Sequence, residues 1–293
     1  MATRIEQAPG TPYHLQAKTA AYRWWKPLLA LVLVSVVFVL GQLLSLVLQV
    51  MFGLPEGSLP WGMLPLVAGL ALTLVPGVML IARVVDRRPG GTVSSVLGRI
   101  RLPWLGWCLL IAALTLVANL LIRGEALEWS SVTPLKLAPV LVYLPFIVFQ
   151  AAGEEYVFRG LLIQSFASWF RTPWIGALIS TALFGLAHDY SDPMIIAEFV
   201  VFSLTLVWIT LRTGGLEAAV AYHSINNLLA LTVSLMSGVH TEQGATQSTP
   251  REMIVTIGGH LAFAALITWL AARKDITGTS SPAIDQGLRD PRR

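Results

Sequence analysis

Six polar side chains stand where apolar helices normally exclude them: Glu154, Glu155 and Arg159 in AAGEEYVFRG, His188 in ALFGLAHDY, and His223 with Asn227 in VAYHSINNLL. Residues four apart share a helix face, so Glu155 and Arg159 can pair, with the acid before the base as a helix favours. That pairing leaves Glu154 on a neighbouring face without an evident partner. A lone carboxyl at membrane depth costs a few kcal/mol, roughly 3, and burial favours its neutral form, the condition that suits a general base near neutral pH. A Glu and a His can share and deprotonate a water, while a second His and an Asn can donate hydrogen bonds to the oxyanion of a tetrahedral intermediate. Glu154, His188 and His223 also match a zinc ligand set that leaves a fourth position for water. Both routes lead to hydrolysis of an amide, and the residues leave the cofactor open between none and a divalent metal such as zinc.

The elements that must hold these residues are membrane helices. Of 293 residues, 55% are apolar and only 12% charged, and the apolar ones come in blocks rather than alternating with charge. Spans need roughly 20 apolar residues, and eight windows qualify, at about 27–52, 61–85, 103–122, 137–158 (extending toward 170), 173–189, 193–212, 215–237 and 253–272. The reading is an all-α, polytopic integral membrane protein. It has an N-terminal tail over 1–26, a helix bundle over 27–274 and a disordered tail over 275–293. The net charge of +4 does not indicate nucleic acid, because sixteen of the twenty Lys and Arg fall on one side of an eight-span topology. By the positive-inside rule that side, with both termini, is cytoplasmic. The polar run DRRPGGTVSSVLGRIRLP, 86 to 103, has room for a short interfacial helix. The first window reads as a retained anchor, since no small-residue cleavage pattern accompanies it.

A hairpin of windows four and five turning near Arg171 puts Glu154 seventeen residues before the turn and His188 seventeen after it, level in the membrane. In an upright arrangement that depth lies toward the outer end. His223 fits less well, nine residues from the turn near Gly214, and needs a tilt, a break at Gly160 or a partly re-entrant segment. The remaining polar groups have plainer uses. Cys108 is the sole cysteine and reads as apolar filler, which excludes an intrachain disulfide. His14, His240 and His260 receive no role, and Glu198 and Glu217 read as interfacial. Asp189 and Asp192 shape the polar turn after His188, where Asp189 has the opportunity to orient that histidine.

EEYVFR fits EExxxR, FGLAH fits FxxxH and HSINN fits HxxxN, in that order on successive hydrophobic segments. Together they resemble the CAAX protease and bacteriocin-processing family of intramembrane endopeptidases, also called Abi, with a core match over about 135–237. The resemblance implies that Glu154 with His188 activates water, that His223 and Asn227 stabilise the oxyanion, and that Glu155 with Arg159 holds the geometry. It implies a membrane-associated protein or peptide substrate, prenylated in some members, and residence in the cell membrane of a bacterium. Metal-dependent and metal-free glutamate mechanisms both satisfy the motifs. The chain lacks HExxH, GxSG and GxGD, the marks of other intramembrane proteases. Two rival readings are a noncatalytic partner-binding or immunity protein of the same family and an ion-coupled transporter, for which no inverted repeat is visible.

Overall fold

Proline in the first turn opens seven of the helices, where its missing N–H is no loss and its fixed φ suits the helix. Gly53, Gly124 and Gly214 close three of them in the left-handed region. The computed structural model describes residues 10–55, 59–124, 133–188, 190–237, 247–281 and 285. Its helices are α1 (Lys26–Phe52), α2 (Leu64–Val84), α3 (Leu102–Arg123), α4 (Pro134–Glu155), a π-helical segment (Tyr156–Leu162), α5 (Ile163–Phe170), α6 (Pro173–Leu186), α7 (Pro193–Thr213), α8 (Glu217–Ser237) and α9 (Pro250–Arg273). The described residues contain no strand, only two isolated bridges. Pro76, Pro139 and Pro145, each a possible break by sequence, lie inside helices that continue through them.

Among the described residues seven helices are long and apolar enough to cross a membrane. Large side chains such as Val36, Leu43, Val50, Leu114 and Leu121 stay exposed on them, as lipid contact requires. The eighth expected span differs: α6 has 14 residues, about 21 Å at 1.5 Å per residue, short of the roughly 30 Å hydrocarbon layer. By contrast, Lys136–Phe170 runs on for 35 residues, about 50 Å, so this helix outreaches the layer. The predicted turn at Arg171 is present, with that residue in the left-handed region at φ 58°.

Among the described residues two large buried clusters and a small third one, of Ile163, Ala177 and Val207, form the core. The first large one joins α1, α2 and the π segment through Val34, Leu74, Val78, Tyr156 and Leu161; the second joins α3, α6, α7, α8 and α9 through Trp104, Phe184, Leu206, Tyr222 and Phe263. Phe158 packs against both. At the α1/α2 crossing, a β-carbon at Gly69 would stand 2.4 Å from the carbonyl oxygen of Gly41, so two glycines permit the close approach that membrane helices use in place of a hydrophobic drive.

A polar cap closes the end of the bundle that carries both described termini, here called the basal face. Tyr13 is buried, its hydroxyl donates to the Val93 carbonyl at 2.5 Å, and its N–H donates to Gly278. Ser280 N–H donates to Thr11, so residues 276–281 and 285, expected to be disordered, are tied to the N-terminal strap. The run from 86 to 103 forms a single 3-10 turn, Gly90–Thr92, rather than an interfacial helix. It is sewn to the α7–α8 corner by Val96 N–H to Gly214 and Leu216 N–H to Ser94. Glu217, expected at an interface, is fully buried and accepts from Arg101 at its backbone N–H (2.9 Å), Nε (2.8 Å) and guanidinium NH2 (2.7 Å). Cys108 is buried as expected.

Candidate active site

Glu154 and Glu155 are the last two residues of α4, and the π segment begins at the next one. The wider π turn keeps Arg159 on the face of Glu155, and its guanidinium donates to Glu155 Oε1 at 3.1 Å with both side chains fully buried. The same guanidinium stacks over the Phe184 ring at 4.2 Å. The predicted pair is therefore present, and an aromatic face shields it. π turns recur inside helices at functional sites.

His223 stands between the two glutamates. Its Nδ1 donates to Glu155 Oε1 at 2.7 Å, and its Nε2 lies 3.5 Å from Glu154 Oε2. The resemblance pairs His188 with Glu154 and gives His223 to the oxyanion; the structure puts His223 beside Glu154, and among the described residues His188 makes no ion pair with it. Glu154 is not solitary either. Gln150, one turn earlier, donates its Nε2 to Glu154 Oε1, and Asn227 Nδ2 reaches Gln150 Oε1 at 3.5 Å. Gln150 thus links the glutamate to the amide of HSINN. Its position four residues before Glu154, on the same helix face, is the signal for it in the sequence. Glu154 Oε2 is left without a hydrogen-bond partner, in a residue 8% exposed.

His188 occupies the end of the short α6. Its Nδ1 donates to the Phe184 carbonyl at 2.8 Å, which leaves Nε2 as an acceptor. Phe184, the aromatic of FxxxH, is the hub: its ring lies 4.5 Å from His188, 5.9 Å from His223, 4.9 Å from Phe158 and 4.6 Å from Phe199. Tyr190 stacks on His188 at 5.8 Å. Burial, then the charge of Glu154, pushes the Tyr190 phenol above its ordinary pKa, which puts the polar turn after α6 within electrostatic reach of the carboxylate. Asp192 caps α7 by accepting from the N–H groups of Met194 and Ile195, as its place in the turn suggested. Asp189 and His240 lie outside the described residues.

The depth puzzle has a physical answer. His223 is six residues, roughly 9 Å, from the basal start of α8, and Glu154 meets it there rather than near the outer end. The segment between Glu154 and Arg171 is enclosed in protein: Gln164 donates to the Thr92 carbonyl, and Lys18 to that of Ser168. A β-carbon at Gly160 would stand 2.5 Å from Val93 Cγ1. Helix length after the glutamates therefore does not measure membrane depth. No break at Gly160 is needed.

Zinc does not fit this arrangement. Among the described residues no group of three His, Cys, Asp or Glu is placed to hold a metal ion. Glu154, His188 and His223 are not gathered as ligands.

A buried Glu–His–Glu–Arg centre inside a helical bundle of long apolar spans defines an integral membrane protein with a polar centre. Residues 136–229, which hold all three motifs, match the family described as Rce1-like, type II CAAX prenyl endopeptidase. The resemblance read from the motifs agrees with that match. The chain is 27% identical over 219 residues to the uncharacterized protein YyaK of Bacillus subtilis, covering 68% of this chain and 72% of that one. It is 33% identical over 103 residues to an uncharacterized 24.3 kDa protein of Escherichia coli, covering 34% of this chain and 45% of that protein. No solved structure matches it.

Proposed function

We propose that the chain is an intramembrane endopeptidase of the CAAX/Abi type, hydrolysing a peptide bond of a membrane-associated protein or peptide by a water that Glu154 activates. The observation that carries this reading is the Glu154 carboxylate: one oxygen is held by Gln150, and the other, Oε2, is buried, unpartnered and 3.5 Å from His223 Nε2. A water against Oε2 loses its proton to Glu154 as its oxygen bonds to the scissile carbonyl carbon. The carbonyl oxygen becomes an oxyanion, to which Asn227 Nδ2 and the imidazolium form of His223 can donate. His188 Nε2, an acceptor while Nδ1 donates to Phe184, orients the water. Glu154 then delivers the proton to the amide nitrogen as the C–N bond breaks, giving an acid and an amine. Glu155 and Arg159 act through His223 and do not touch substrate.

The positive-inside count supports cytoplasmic termini, so the site near the basal face would take its substrate from the cytoplasmic leaflet. Purified protein incubated with a peptide library, with and without a chelator, tests the reading by mass spectrometry of the products. Cleavage unchanged by chelator is the expected result. Cleavage abolished by chelator and restored by zinc would overturn the metal-free route, and no cleavage of any peptide or prenylated substrate would favour the partner-binding alternative.

A further inference from the structure

We propose that the concavity at the basal end of α2, formed by Arg83, Arg87 and Arg88, binds the phosphate of an anionic membrane phospholipid. This open concavity of about 480 Å³ is lined by Arg83, Val84, Arg87, Arg88 and Pro89. Three of its five lining residues carry a guanidinium and none carries an acid. Arg83 and Arg87 are exposed and, among the described residues, make no ion pair or hydrogen bond through their side chains.

Arg88 supplies the built part. It is 2% exposed, its Nε donates to Asp86 at 3.2 Å and its NH1 to Thr92 Oγ1 at 2.8 Å, while its remaining nitrogen is buried without an acceptor. The guanidinium is thus fixed in orientation with one donor edge unspent, in a place where a buried donor normally finds a partner. Asp86, which Arg88 uses as its anchor, is buried beneath the cluster and does not neutralise Arg83 or Arg87. Arg87 adopts φ 52°, a left-handed conformation that a β-carbon disfavours, at the turn that brings it beside Arg88. The exposed guanidinium groups of Arg83 and Arg87 present the forked N–H pairs that phosphate oxygens accept, above the buried Arg88 that holds the turn.

The depth selects a lipid over a soluble phosphate. Leu80 and Val84, on the last turns of α2, are 60% and 66% exposed, and Trp24 and Trp25 are exposed at the start of the adjacent α1. Exposed apolar residues meeting tryptophans mark the hydrocarbon–headgroup boundary, and basic pockets at that level hold anionic headgroups. This site lies apart from Glu154 and stands whether or not the chain is a peptidase.

The test uses the full chain in nanodiscs of phosphatidylcholine with phosphatidylglycerol, released into the gas phase so that retained lipids are counted by native mass spectrometry. The variant is Arg83→Gln with Arg87→Asn, since asparagine tolerates the left-handed backbone and both side chains are unpartnered. Arg99→Gln serves as a basal basic control. Wild type and control are expected to retain phosphatidylglycerol over phosphatidylcholine, and the double variant to lose that preference by roughly tenfold or more, with an unchanged melting temperature. Equal losses in variant and control would reduce the effect to diffuse surface charge and overturn the proposal. So would retention unchanged in the variant. Binding of inorganic phosphate to delipidated protein, abolished in the variant and displacing the lipid, would assign the concavity to a soluble phosphate and overturn the lipid source.

Discussion

Replacing Arg159 by methionine should destabilise the protein more than any other single change at the centre. Arg159 and Glu155 are both fully buried, 3.1 Å apart, so the substitution strands a carboxylate that has no water to turn to. Breaking a buried pair by removing one partner costs about 3–5 kcal/mol, and losing the guanidinium from the Phe184 face adds about 0.5–2 kcal/mol. In thermal unfolding of the reconstituted protein this corresponds to a fall on the order of 10 °C. Adding Glu155→Gln removes the stranded charge, while the new amide oxygen still accepts from His223 Nδ1. The double variant should therefore melt above Arg159→Met alone, with a coupling of about 2 kcal/mol or more. Strict additivity of the two changes would refute the claim that the pair is a single buried unit.

Gln150→Leu should lower kcat by roughly tenfold to a hundredfold with KM little changed, since it frees Glu154 Oε1 and cuts the tie to Asn227; steady-state kinetics on a cleaved peptide checks this. Gly160→Ala should cost a net of about 1–2 kcal/mol, because its β-carbon would stand 2.5 Å from Val93 Cγ1, and Val93→Ala in the same chain should recover it in a melting assay. Burial holds the His14 imidazole below its ordinary pKa. Its stabilising contribution is therefore complete above about pH 6.5 and lost as pH falls from there through the lower folded value. Melting temperature should rise with pH across that window, and His14→Gln should flatten the rise.

What the sequence made legible was local. The four-residue spacing of Glu155 and Arg159, the turn at Arg171 and the cap at Asp192 all depend on neighbours within one helix or turn. Motif order likewise located the centre. The placement of His223 between both glutamates depends on the relative depth of α4 and α8, and that is set by how much of the α4–α5 helix is enclosed by the basal cap. Hydropathy does not separate protein burial from lipid burial, so the length of α6 and the enclosure of α5 were invisible. Glu217 differs for the same reason: its partner Arg101 is 116 residues away, brought beside it by the fold, including the bridge between Ser95 and Gly215. The wide π turn leaves no mark on the hydrophobic pattern.

The most direct measurement is turnover of a cleaved peptide by wild type and by Glu154→Gln, side by side in proteoliposomes, with melting curves of both. Glutamine keeps the hydrogen bond to Gln150 possible and removes the base, so the variant should melt within a few degrees of wild type and lose at least a hundredfold in rate. A folded Glu154→Gln protein that cuts the same bond at the wild-type rate would contradict the assignment of Glu154, and with it the peptidase mechanism built on that residue.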